Sequence, residues 1–200
     1  HPLAITLANT KEVLFLINRP GNVVSHEGAY EWINRAIALV EAHTDRICLR
    51  GDTDFSLTGH FDEWSKKVDF VFGMDSCRGF IQRAEDREEA SWSLLEREPK
   101  YEVKTEERSR PENVKEQIVK DREYKNIRLV SEHVAEFSYS PGKCDEEYRM
   151  VVLRKNLSVE KGENMLFDDI RYFFYITTRT DLSPAEVVRL ANGRCDQENI

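Results

Sequence analysis

Two acids one residue apart, Asp52 and Asp54, follow directly on the stretch Arg46-Ile47-Cys48-Leu49-Arg50-Gly51, whose apolar start reads as a buried strand. Carboxylates at the end of a rigid strand are suited to hard cations, because Mg²⁺ takes one or two carboxylates together with the phosphate oxygens of a substrate. A chain acting on phosphodiesters needs acids in such a place. The partner for Asp52 would be Glu198, the last acid, in Asn192-Gly193-Arg194-Cys195-Asp196-Gln197-Glu198-Asn199-Ile200. A purely structural role competes with this one, since an acid after a strand commonly starts a turn and caps the helix that follows. Asp75 also follows a strand pattern, within geometric reach of Asp52, and reads as a turn residue. His26, His43, His60 and His133 share no metal-ligand spacing with cysteines or acids, so capping and surface roles suit them better than zinc.

The elements that must position these acids follow an α/β order. Leu3 to Ala8 and Val13 to Asn18 read as a hairpin joined by Asn9-Thr10-Lys11-Glu12. Ser25 precedes an amphipathic run in which Ala29, Trp32, Ile33, Ala36, Ile37 and Val40 keep helical spacing, so a helix is expected from about Glu27 to His43. Ile47 to Leu49 is the next strand, Thr58 to Lys67 a short helix with Phe61 and Trp64 on one side, and Val68 to Phe72 a further strand.

Beyond Gly73 the pattern loosens. Ser76 to Glu98 reads as one or two charged helices, with Trp92 either partly exposed or a packing anchor. Tyr101 to Thr105, Ile127 to Val130, Val134 to Tyr139 and Tyr148 to Arg154 alternate partially, as strands do, and Pro111 opens a possible short helix to Val119. Core character returns in Tyr172-Phe173-Phe174-Tyr175-Ile176, a near-continuous apolar strand. Ser183, Pro184 and Glu186 then supply an N-cap, an N1 proline and an N3 acid for a helix running towards Glu198. The organisation expected is a first part of a core over residues 1–73, an insertion over 74–169 and a return to the core over 170–200.

Two hundred residues at 40% hydrophobic suffice for one domain with a real core, or for a core domain carrying an insertion. No apolar stretch approaches the length of a membrane span, and His1-Pro2-Leu3 has neither an initiator Met nor the features of a signal peptide. A soluble piece of a longer protein is therefore expected. Cys48, Cys77, Cys144 and Cys195 form no C-x-x-C pair, which suits a reducing compartment. The net charge of −8 opposes a nucleic-acid partner, but its distribution is uneven. From Arg97 to Lys155 fourteen Lys and Arg stand against thirteen Asp and Glu, so the negative charge sits elsewhere.

With the acids and elements placed, the chain resembles the DDE transposases of bacterial insertion sequences, in the subgroup whose RNase H-like catalytic core is interrupted by a β-rich insertion. The stretches that carry the resemblance are Asn18 to Asn22 with Ser25 to Ala29, Leu49 to Ser56, Tyr148 to Gly162, Leu166 to Thr177 and Arg194 to Ile200. The resemblance implies an RNase H-like mixed sheet flanked by helices with a β-containing insertion. It implies three acids holding two Mg²⁺ ions, with Mn²⁺ as a substitute. By motif position Asp52 matches the second acid, with Asp54 as its rival, and Glu198 the third. Arg194, four residues before Glu198, matches an arginine that would contact a DNA phosphate.

The implied reaction is cleavage of transposon-end DNA and its joining to target DNA in a bacterial cytoplasm, by an enzyme that is a homodimer in its active complex on double-stranded DNA. The pattern is departed from in three places. The strand with the first acid is expected before His1, Ala191 stands where the family has a tyrosine, and a late lysine would lie beyond Ile200. The chain by itself is therefore expected to be inactive. An RNase H-like nuclease, or a non-catalytic remnant that binds DNA or its parent protein, is the alternative reading.

Overall fold

The computed structural model describes residues 2–97, 117–118, 121–122, 125–161 and 164–193. Its centre is a mixed six-stranded sheet with helices on both faces. In chain order the elements are β1 (Leu3–Thr6), β2 (Val13–Ile17), α1 (Ala29–Val40), β3 (Cys48–Gly51), α2 (Phe61–Trp64), β4 (Asp69–Met74), α3 (Arg78–Glu85), β5 (Ser93–Leu94), β6 (Lys125–Tyr139), β7 (Tyr148–Lys161), β8 (Asn164–Thr177) and α4 (Pro184–Asn192). The sheet runs β3-β4-β8-β7-β6-β5, and β1 and β2 form a separate antiparallel pair. Among the described residues only β3 and β4 are parallel, with Leu49 beside Phe70 and Gly51 beside Phe72. The expectations for Tyr101 to Thr105 and for the helix opened at Pro111 fall largely on residues outside those described.

The period-2 alternation of the strands sorts their side chains between two cores. On one face Phe70, Phe72, Met150, Val152, Phe174 and Ile176 meet Ile37 of α1, Phe61 and Trp64 of α2, and Phe80 and Ala84 of α3. Val71, Val134, Val151 and Leu153 point to the other face and meet Val187, Val188 and Ala191 of α4. β4 is covered on both sides, which explains its unbroken apolar run. Burial of each large side chain here contributes about 1.5–3 kcal/mol.

Several boundaries differ from the sequence reading for physical reasons. α1 starts at Ala29, not Glu27, because Gly28 takes a left-handed φ of 69° and the residues before it form turns. After α3 the charged stretch forms a short 3-10 turn, Glu89–Ser91, rather than a second α-helix. Trp92 and Leu95 anchor to opposite cores, and Ser93–Leu94 between them pairs with β6. Trp92 is thus a packing anchor, with the Arg154 guanidinium 4.4 Å from its ring centroid. Ile127 to Val130 and Val134 to Tyr139 belong to one strand, β6, whose register shifts between Leu129 and Ser131. The intervening Ser131-Glu132-His133 reads as polar punctuation but holds a buried carboxylate, described below. β6, β7 and β8 add to β4 as one continuous antiparallel meander, so the stretch read as an insertion supplies β5, β6, β7 and the first part of β8 to this sheet.

Candidate active site

β3 ends at the tip of the parallel pair, and its side chains alternate as the pleat requires. Cys48 packs against the α4 core, and Arg50 reaches the same side, where its Nη1 donates to the Leu190 carbonyl at 3.1 Å. Gly51 faces the other way. A methyl group there would lie 2.9 Å from the Phe72 ring and 3.1 Å from Phe55 Cβ, so glycine lets the strand approach its neighbour. Asp52, extended at φ −85° and two residues beyond Arg50, accordingly lies on the α4 side.

The Asp52 carboxylate caps the short 3-10 turn Thr53–Phe55, its Oδ1 accepting from the Asp54 amide at 3.1 Å. The structural role anticipated for Asp52 is therefore present. It is compatible with a second role, because a carboxylate has several lone-pair directions and this bond fixes its orientation. Asp54 is exposed, and its amide supports Asp52. The Asp52–Thr53 peptide lies over β4 at Gly73, where a side chain would meet the Asp52 carbonyl carbon at 3.4 Å and the Thr53 nitrogen at 3.2 Å. Asp75 follows the end of β4 and is exposed at the same end of the sheet.

α4 is directed to this end. Ser183 accepts from the Glu186 amide while the Glu186 carboxylate accepts from the Ser183 amide at 2.7 Å, closing the expected capping box around Pro184. The Arg149 guanidinium donates to the carbonyls of Arg179 at 2.8 Å and Leu182 at 2.6 Å, holding the approach to the helix. Asp181 bridges Arg46, at 3.1 Å, and Arg179, at 2.7 Å, and the Arg179 bond holds its carboxyl well below the usual carboxylate range. At its far end α4 meets Arg50 and Tyr175, whose hydroxyl donates to Asn192 Oδ1 at 3.5 Å. Gly193 abuts Arg50 so closely that a Cβ would stand 2.7 Å from Nη1. Glu198 and Arg194 lie outside the described residues, as does their geometry.

In comparisons with known proteins, no family model, no curated protein and no solved structure matches this chain.

The donor chemistry at the tip is of the right kind for a hard cation, namely carboxylate oxygen on a strand end. Among the described residues no group of three His, Cys, Asp or Glu side chains could hold a metal ion, so a complete ligand set would need a further acid such as Glu198. Among them, too, no helix is long and apolar enough to cross a membrane. The sequence reading missed Arg50 and Arg149, which aim α4, because arginine within or beside an apolar strand carries no distinctive spacing. It also missed Glu132, which is only 4% exposed and is held by Arg97 and Lys155. Burial pushes its carboxyl up, but the two cations outweigh this and leave it below the ordinary glutamate value.

Proposed function

We propose that this chain is part of an RNase H-like catalytic core of a DDE transposase, which cuts transposon-end DNA and transfers the cut strand to target double-stranded DNA. The reading rests on the motif resemblance together with one observation: Arg50 binds the last turn of α4. That contact joins the last described turn of α4 to the end of β3 where Asp52 stands, and Arg194 and Glu198 follow this turn in the sequence. Arg50 and Leu190, far apart in sequence, thereby meet at one end of a parallel strand pair. Among the described residues β3 is an edge strand of its sheet, and a strand carrying a first acid would pair there.

In this reading Asp52 and Glu198 hold Mg²⁺, or Mn²⁺ in its place, and Asp54 steadies Asp52 through its amide. The bound metal would supply charge stabilisation for the attacking and leaving oxygens of an in-line displacement at phosphorus. Arg194 would bind a DNA phosphate by charge-assisted hydrogen bonds. A homodimeric assembly on DNA belongs to the same proposal.

The test is a DNA cleavage and strand-transfer assay of the parent protein with Mg²⁺. Asp52→Asn preserves the capping acceptor and should abolish both steps, as should Glu198→Gln, whereas Asp54→Asn should retain activity. Hydrolysis without transfer would favour the nuclease alternative. Full activity in the Asp52→Asn protein would overturn the assignment.

A further inference from the structure

On the α4 side of the sheet, one row across the meander consists of Glu132 on β6, Lys155 on β7 and Arg171 on β8, which are direct register partners. Like charges opposite one another on adjacent strands repel, so Lys155 beside Arg171 asks for a compensating anion. The described carboxylates supply it only in part. Glu132 is shared between Arg97, whose Nη2 donates to Oε1 at 2.9 Å, and Lys155 at 3.3 Å, while Asp169 engages Arg171 at 2.8 Å. Three cations thus meet two acids. Glu132 is almost fully covered and Asp169 is 33% exposed, whereas the side chains of Arg97, Lys155 and Arg171 are 41%, 30% and 50% exposed, so these five described groups show solvent an excess of positive charge in a chain of net charge −8.

The next position along β8 on this face is Phe173. The residue is 42% exposed while Phe174 is buried, and Lys155 Nζ stands 5.1 Å from the ring centroid. Paired cations with an exposed aromatic ring in the next row of the sheet are a combination that binds a polynucleotide strand, through its phosphates and through stacking of a base. The position fits the candidate site as well. Phe173 is two residues from Tyr175, which pairs with Gly73 beneath the Asp52–Thr53 peptide, so the track begins about 7 Å along the strand from that row.

We propose that Lys155, Arg171 and Phe173 form a binding track for a nucleic-acid strand leading to the Asp52 end of the sheet, with phosphates at the two cations and a base on the ring. It deepens the transposase reading and rests on it for the identity of the strand as DNA.

The experiment is fluorescence anisotropy of the full chain with short labelled single-stranded and duplex DNA, in EDTA, across a salt series. Lys155→Gln with Arg171→Gln should weaken binding and lower the slope of log affinity against log salt by about 1.4 for single strands, the amount for two phosphate contacts. Phe173→Leu should weaken single-strand binding by about tenfold with an unchanged slope. Lys155→Arg with Arg171→Lys should restore binding, and thermal unfolding followed by circular dichroism checks that each variant folds.

An unchanged slope in the double Gln variant, or no salt-dependent binding by the wild type, would overturn the proposal, as would a track that binds a protein but no oligonucleotide. Because the measurement contains no metal, it is separable from the catalytic test. Asp52-independent cleavage alongside track-dependent binding would sink the catalytic assignment and leave this one standing, and the reverse pair of results would do the opposite.

Discussion

Arg50 Nη1 lies 3.1 Å from the carbonyl oxygen of Leu190, joining the last turn of α4 to the end of β3. The final carbonyls of a helix lack intrahelical partners and carry partial negative charge, so a guanidinium there satisfies an acceptor and complements the helix dipole.

Arg50→Met should therefore cost about 1–2 kcal/mol of stability, the range for a charge-assisted bond at a helix end. Chemical denaturation measures it. On the proposed function, catalysis in the parent protein should fall further than stability, because Arg50 joins the last described turn of α4 to the end of β3 beside Asp52. Arg50→Lys keeps the charge without the planar fork and should recover stability better than activity.

Gly51 and Gly73 should tolerate substitution poorly for different reasons. Gly51→Ala drives a methyl group to 2.9 Å from the Phe72 ring, inside the core, and is expected to cost about 1–3 kcal/mol. Gly73→Ala meets backbone of the Asp52 turn at 3.2–3.4 Å, so it should displace Asp52 with a smaller loss of stability. Comparing melting temperature with metal-dependent cleavage for the two variants separates these effects. Equal losses in both measurements would show that Gly73 serves packing alone.

Much of this arrangement was legible in the chain. The strand ending in Asp52 and the Ser183-Pro184-Glu186 helix start are local signals, and local chemistry decides them. The β6 strand was not legible as one element, because its centre carries Ser131, Glu132 and His133, residues that normally punctuate strands. Glu132 tolerates burial only through Arg97 and Lys155, which lie 35 positions before it and 23 after it in sequence. Trp92 was similarly ambiguous, since its burial depends on strands far along the chain. The position of Asp52 at the end of a strand was readable from the apolar run before it, while the arginines that orient α4 were not, because their α4-side partners are backbone carbonyls without a sequence signature.

The pH dependence of stability should report the buried Glu132 carboxylate. Its folded value is depressed by Arg97 and Lys155 against the opposing effect of burial. A depressed carboxylate contributes stability that is present above its unfolded value, about 4.3, and is lost as pH falls through the folded value. Glu132→Gln should thus be less stable than wild type at pH 7 but show a flatter decline below about pH 4.3. Arg97→Ala leaves the acid buried beside Lys155 alone and should cost about 2 kcal/mol at pH 7, whereas adding Glu132→Gln to it should return part of that loss. Urea unfolding of the four proteins at neutral and acid pH forms a closed cycle. If Arg97→Ala and Glu132→Gln prove additive, the two residues do not interact, and the ion pair is not what permits β6 to cross the sheet as a single strand.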